Sequence, residues 1–382
     1  MIAKANRLQT VQEYYFSHKL REVQQLITAG KSIINLGIGS PDLAADPEVI
    51  NALTNATVLP NATQYQSYQG TIELRTAISK FYQHHFKVAL NPLNEILPLM
   101  GSKEGIMHIS MAFLNPGDEV LIPNPGYPTY TSVTKLVGAV PVPYELSEAK
   151  GWFPDLHSLS QKDLTKVKLM WVNYPHMPTG ATVSLQQWQQ LVDFAEEHEI
   201  LVVNDNPYSF ILNDLPNSIL QVKGAHKVAL ELNSLSKTFN ISGMRVGMVL
   251  GAAANIEAIL QVKSQMDSGM FLGIQHAAVA ALQLEKSWFV NLNKIYKERR
   301  LLVWKLLDKL HCTYDKNTVG LFVWAKIPEG EDGEQFTDEL LYQSGVFITP
   351  GKVFGSAGNN YIRVSLCASE SDLKEVINRF KK

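Results

Sequence analysis

KVALELNSLSKTFNISGMRVGMVLG, residues 227–251, sets two apolar runs on either side of a small polar hinge. Residues 227–237 and 246–251 read as buried strands. The hinge places Lys237 and Arg245 among Ser234, Ser236, Ser242, Gly243 and Gly247 instead of among other charges. Outward from this stretch the texture repeats. Apolar runs at 96–100, 119–125, 139–145, 167–175 and 200–208 also read as strands, and helical patterns fit at about 104–114, 127–137, 185–198 and 255–265. Such alternation predicts an α/β fold whose mostly parallel sheet is sandwiched by helices.

Near residue 288 the pattern changes. WFVNLNKIYKERRLLVWKLLDKL repeats apolar residues every three or four positions, a long amphipathic helix. Beyond it GLFVWAKI and NYIRVSL read as strands of a smaller α+β unit, which SIINLGIG near the N-terminus joins as a further strand. The expected division is a large domain over 46–287 and a small domain built from both termini, 1–45 and 288–382. A helix, not a flexible tether, forms the boundary.

The chain has 382 residues, 46% hydrophobic and 18% charged, with a net charge of -2, which suits an ordered two-lobed protein. No basic block exceeds two adjacent residues, so neither nucleic acid nor a membrane is an expected partner. The first twenty residues lack the apolar core of a secretion signal. Cys312 and Cys367 show neither metal nor redox spacing, and a cytoplasmic location is expected. There is no G-x-x-x-x-G-K-[ST] and no H-E-x-x-H, and GIGSPD (37–42) carries only the first two glycines of a dinucleotide fingerprint. His84 and His85 fall in a polar helical stretch and are expected to be solvated. A nucleotide enzyme, a zinc hydrolase and a bound metal are therefore not expected.

Scattered segments do fit one chemistry. At the end of a buried strand, Lys237 would have its amine pKa depressed and could form a Schiff base with a carbonyl compound. Ser234, Ser236 and Arg245 offer donors suited to a phosphate; the plainer alternative is a surface lysine with an arginine at a helix start. GSKEG (101–105) opens a helix whose first N–H groups can bind a phosphate, or Ser102 is simply its N-cap. Asp205, at the C-terminal edge of a strand, can hold a heteroaromatic nitrogen protonated, or can form a turn before Asn-Pro. Tyr208 can reach the same ring. Tyr127 offers a stacking face, or belongs to a Pro-Gly-Tyr-Pro turn. Arg363 suits a carboxylate, or a structural ion pair. Together these groups describe a site for pyridoxal 5′-phosphate (PLP), whose ring acts as an electron sink when its nitrogen is protonated.

These residues carry a likeness over essentially the whole chain. S-x-S-K followed by G-x-R, with D-x-x-Y upstream, resembles the fold-type I, class I/II aminotransferases. GSKEG, NPGYPTY and KSQMDSG look closest to the branch holding LL-diaminopimelate and alanine- or aspartate-type enzymes. The resemblance implies Lys237 as the cofactor-bound amine and proton shuttle, Asp205 on the pyridine nitrogen, Tyr208 on the phenolic oxygen and Tyr127 on the ring face. Ser102, Lys103, Ser234 and Arg245 would hold the phosphate; Arg363 and the Gly39 backbone would hold the substrate carboxylate. Tyr65 would reach the phosphate of a second subunit, giving a homodimer with shared sites, and Tyr14 would help to form the substrate pocket.

One departure stands out. Where the family writes N-P-T-G, this chain has NYPHMPTG, with Met177 in the place of an asparagine that donates to the phenolic oxygen. Asn173 or His176 would substitute, or Tyr208 would serve alone. The expected activity is ping-pong transfer of an amino group between an amino acid and a 2-oxo acid. A C–S β-lyase on the same scaffold and a weakly catalytic PLP-binding regulator are the alternatives.

Overall fold

The computed structural model describes residues 2–11, 13 and 15–380. Its centre is a seven-stranded sheet: β1 (Ile96–Leu99), β2 (Glu119–Asn124), β3 (Val140–Glu145), β4 (Val167–Val172), β5 (Leu201–Asp205), β6 (Ala229–Ser234) and β7 (Gly247–Gly251). They lie in the order β1-β7-β6-β5-β4-β2-β3. Every pairing is parallel except the two made by β7, so β7 alone runs against the other strands. The inner strands are buried on both faces except at Lys168, in keeping with their mostly apolar runs. Helices cover both faces, and the mostly parallel α/β expectation holds.

The helices expected from the pattern are present as Ser102–Phe113, Pro128–Leu136, Leu185–Glu197 and Ala253–Lys263. The third begins with a capping box. Ser184 accepts from the Gln187 N–H at 3.2 Å, and the Gln187 side chain accepts from the Ser184 N–H at 2.9 Å, an arrangement that contributes about 1 kcal/mol. The long amphipathic helix runs from Lys286 to Lys309. Near it a four-stranded antiparallel sheet includes Phe322–Lys326 and Tyr361–Ser365, the two strands expected in the C-terminal segment.

Three expectations change. SIINLGIG contributes only a two-residue strand, Ile34–Asn35, paired in parallel with Val346–Phe347, because the chain then turns into the central cavity. The run ending at 237 leaves the sheet at Ser234, whose hydroxyl accepts from the Ser236 N–H at 3.2 Å and starts a short helix, Leu235–Thr238. His85 is half-buried between the rings of Phe81, Phe210 and Phe289 at 4.4, 4.9 and 5.6 Å. Burial there pushes its pKa down to about 4, so it packs in the core rim instead of facing water. Its neighbour His84 is exposed as expected. Cys312 and Cys367 are both free thiols.

Candidate active site

Because β7 alone is reversed, the carboxyl ends of the other strands and the amino end of β7 meet along one edge of the sheet. Six chain segments deliver their next residues there. Gly101 and Ser102 follow β1, Tyr127 follows β2, Asn173 follows β4, Asp205 closes β5, Ser234 and Lys237 follow from β6, and Arg245 precedes β7. A cavity of about 350 Å³ opens at this edge, within the range of small-ligand sites. Ser102, Lys103, Tyr127, Asn173, Asp205, Tyr208, Ser234, Ser236, Lys237, Arg245, Gly39 and Arg363 all line it. Residues spread over more than 300 positions of sequence are thus brought into one space.

Lys237 is half-buried, and its Nζ donates to the Gly39 carbonyl at 2.7 Å. Burial, helped by the nearby Arg363 and Arg245 guanidiniums, holds its amine below the ordinary lysine range. A larger share of free amine at neutral pH makes it a nucleophile toward a carbonyl carbon.

Asp205 is buried. One carboxyl oxygen accepts from the Tyr130 hydroxyl at 2.8 Å, while the other, Oδ1, has no partner. Burial pushes its pKa up to about 7, against a smaller lowering by the Tyr130 bond. Tyr130 in turn lies flat on Trp171 at 4.9 Å and 4°, and edge-on to Tyr127 at 5.5 Å. Sequence reading missed Tyr130. The signal was its place three residues after Tyr127 at the start of a helix, which puts both rings on one side.

Gly101 and Arg245 form the most confined corner. Gly101 has φ 94°, which favours glycine, and a Cβ added there would meet Arg245 Nη2 at 2.1 Å, so any side chain would displace the guanidinium. Arg245 donates to the Ser242 carbonyl at 2.9 Å and to the Ser236 hydroxyl at 3.4 Å. The following helix has Gly101 itself as N-cap and no side-chain cap. Ser102 is therefore not the cap; it lies in the first turn, where N–H groups suit an anion.

On the opposite wall Arg363 is buried, with its guanidinium 3.9 Å from the Phe322 ring centre and 4.7 Å from that of Phe354. It donates to the Gly37 carbonyl at 2.7 Å and to Met177 Sδ at 3.3 Å. Gly39 passes so close to Phe322 that a Cβ would lie 2.1 Å from the ring. Asn173 is tied at both ends of its amide: Nδ2 donates to the Asp205 carbonyl, and Oδ1 accepts from the Met177 N–H at 2.8 Å. His176 is buried outside the cavity lining with its Nδ1 against the Thr179 hydroxyl at 2.8 Å. Tyr208 is buried and edge-on to Phe322.

Two residues stand apart. Tyr65 is 90% exposed and does not line its own chain's cavity. Tyr14 lies outside the described residues.

The donor set fits PLP on two observations. The partnerless Asp205 Oδ1 is a buried acceptor for a ring N–H, and Ser102, Ser234, Ser236 and Arg245 bring anion donors to the same cavity beside the start of the Ser102–Phe113 helix. Known proteins agree with that fit. The family Aminotransferase class I and II matches residues 31–380. The LL-diaminopimelate aminotransferase of Natranaerobius thermophilus is 41% identical over 379 residues, spanning 98% of both chains. That of Aquifex aeolicus is 37% identical, spanning 100% of this chain and 99% of the relative. Among solved structures, substrate-bound BacF from Bacillus subtilis superposes with a TM-score of 0.96 at 34% identity, covering 99% of this chain and 97% of that one. A single mutant of the Thermus thermophilus aspartate aminotransferase gives 0.92 at 25% identity, covering 100% and 99%. The chain belongs to the class I and II aminotransferases, enzymes that work with pyridoxal 5′-phosphate.

Proposed function

We propose that this aminotransferase takes amino donors of the LL-diaminopimelate class and works with the residue roles that follow. The observation carrying those roles is one cavity holding a lysine of lowered pKa and a buried carboxylate with one oxygen left unpaired. When bound, PLP supplies an aldehyde carbon for an amine and an electron-withdrawing ring. Lys237 would hold the aldehyde carbon and would carry the proton of the substrate α-carbon. Asp205 keeps the ring nitrogen protonated, with Tyr130 holding the carboxylate in place. Tyr127 covers the ring face, and Tyr208 reaches its phenolic oxygen. Ser102, Lys103, Ser234, Ser236 and Arg245 hold the phosphate. Arg363 offers a two-pronged fork to the substrate α-carboxylate, with Gly39 beside it.

The same reading makes the enzyme a cytoplasmic homodimer in which Tyr65, exposed in the single chain, serves the partner's site. It divides each chain at the Lys286–Lys309 helix into a large lobe, 46–287, and a small lobe, 1–45 with 288–382. Among the described residues no helix is long and apolar enough to cross a membrane.

Support for the donor class comes from relatives of 35–41% identity that carry the name LL-diaminopimelate aminotransferase. A half-reaction screen tests it. The protein loaded with PLP is mixed with single amino acids, without any acceptor acid, and its visible absorbance is followed. LL-diaminopimelate is expected to bleach that absorbance. No bleaching by it, alongside bleaching by another amino acid, overturns the donor class. Pyruvate and ammonia released from cystathionine would mark a lyase instead.

Met177 gives a second expected result. A thioether cannot donate to the phenolic oxygen, and here the sulfur accepts from Arg363 instead. The Lys237 nitrogen, once bonded to the aldehyde, therefore keeps its proton to higher pH than with an asparagine at 177. In a pH titration of the visible absorbance, Met177→Asn is expected to lower that pKa by about one unit, the worth of one hydrogen bond to a charged group. An unchanged or higher value contradicts the assignment.

A further inference from the structure

Glu231 lies in the middle of β6, between Leu230 and Leu232, and is fully buried. Its Oε1 accepts from the Tyr82 hydroxyl at 2.9 Å and from Asn206 Nδ2 at 3.2 Å. Oε2 accepts from the Ser218 hydroxyl at 2.9 Å, the Ile219 N–H at 3.2 Å and Asn204 Nδ2 at 3.3 Å. All these donors are neutral. Burial pushes the carboxyl pKa up, and the hydrogen bonds oppose that shift. A leucine would fill such a place without the desolvation cost of a carboxylate. What it could not do is fix the direction of five donors from three separate segments, at residue 82, at 204–206 and at 218–219.

Two arms of this network, through the asparagines and through Tyr82, end beside residues that line the cavity. Asn204 is Glu231's register partner across β5 and β6, and Asn206 donates its own N–H to the Leu232 carbonyl at 2.7 Å. Successive side chains of a strand face opposite ways, so Asn204 and Asn206 are gripped behind the sheet while Asp205, between them, faces the cavity. The Tyr82 hydroxyl also accepts from Asn233 Nδ2 at 2.7 Å, and Asn233 Oδ1 accepts from the Ser234 N–H at 2.7 Å. Asn206 Oδ1 accepts from the Ser209 hydroxyl at 2.5 Å, one residue beyond Tyr208.

We propose that Glu231 is a positioning residue for the cofactor. By gripping Asn204 and Asn206 around Asp205 and, through Tyr82, Asn233 beside Ser234, its carboxylate sets how Asp205 and Ser234 face the cavity. The inference rests on Asp205 being the partner of the ring nitrogen.

Glu231→Gln keeps the shape but turns one acceptor into a donor. Ile219 can only donate, so the amide nitrogen falls on the Oε1 side, against Asn206 Nδ2. The expected result is PLP affinity weakened at least about tenfold, as when other supporting shells are broken. The visible absorbance is also expected to shift, with kcat falling more than KM changes. Adding Asn206→Asp restores an acceptor opposite the new donor and is expected to recover most of the affinity and the spectrum. PLP affinity within twofold of wild type with the same spectrum overturns the proposal, even if thermal stability drops. A double variant no better than Glu231→Gln overturns it too. If Glu231→Gln does not fold, Tyr82→Phe decides, since it removes one donor and the link to Asn233. A threefold or greater loss of affinity with a spectral shift supports the proposal, and wild-type behaviour overturns it. Asp205→Asn separates the two levels. If that variant binds PLP with wild-type affinity and spectrum, the reading of Asp205 fails; if only the Glu231 variants behave as wild type, the positioning role alone fails.

Discussion

Lys237→Ala is expected to lower kcat roughly 10⁴-fold, the upper end of what a positioned proton-transfer group contributes. The loss has two sources in the geometry. The amine that bonds the aldehyde is gone, and no other lysine shares the cavity's floor. Lys103 lines the same cavity but sits on the first turn of the Ser102–Phe113 helix. The variant is expected to fold, since the Lys237 side chain contributes one hydrogen bond, to the Gly39 carbonyl at 2.7 Å. PLP should still bind through the phosphate corner, but with the absorbance of the free aldehyde. A steady-state assay with a visible spectrum checks both statements together. Retention of more than about a tenth of the activity would remove Lys237 from the chemistry.

Asp205→Asn is expected to lower kcat by about 10²–10³-fold, the usual cost of removing one fixed charge from the point where charge develops. An asparagine keeps the volume and can still accept from the Tyr130 hydroxyl. It carries no negative charge, so it cannot keep the ring nitrogen protonated. A KM for the amino acid that stays nearly constant would place the loss in the chemical step. The same substitution has a consequence without cofactor. Burial raises Asp205 from an ordinary carboxylate value of roughly 3.9 to about 7. A group with a raised folded pKa binds more protons folded than unfolded, so its contribution to stability falls as pH rises between about 4 and 7. Protein stripped of PLP is expected to lose thermal stability over that window, and Asp205→Asn to lose less. Identical pH profiles for the two would contradict the buried setting of the carboxyl.

The sheet was legible because a strand covered on both faces is mostly apolar, and seven short runs rich in apolar residues stood out between helical patterns. Chain direction followed as well, from the helices between them. Several helices were not legible, Pro47–Thr57 and Leu272–Leu282 among them. Leu272–Leu282 is rich in alanine and packs on Pro47–Thr57, and a helix buried on most sides lacks the polar face that makes a period visible. The lysine's setting was legible from its serines and its arginine, since small hydroxyl residues around a charge signal a bound anion. Its exact local structure was not: a run of apolar residues does not tell where Ser234 leaves the sheet for a helix turn. Tyr130 and Glu231 were missed for one shared reason. Each acts through partners far away in sequence, Asp205 for the first and residues 82, 204, 206 and 218 for the second. Only the folded sheet brings those partners together.

The Met177 contact shows the opposite case. Its departure from the family pattern was plain in the sequence, but the structure supplies the sulfur's new partner, Arg363, at 3.3 Å. Asn173 is committed to backbone groups at both ends of its amide, and His176 lies outside the cavity lining. Tyr208 is accordingly the side chain we propose for the phenolic oxygen.

Borohydride reduction of the PLP-loaded protein, followed by peptide mass spectrometry, bears most directly on the whole account. It would fix any cofactor–amine bond as a stable mass increment on one residue. The increment is expected on Lys237 and to vanish after exposure to an amino donor that the enzyme accepts. A phosphopyridoxyl group on any other lysine, or on none, would contradict it.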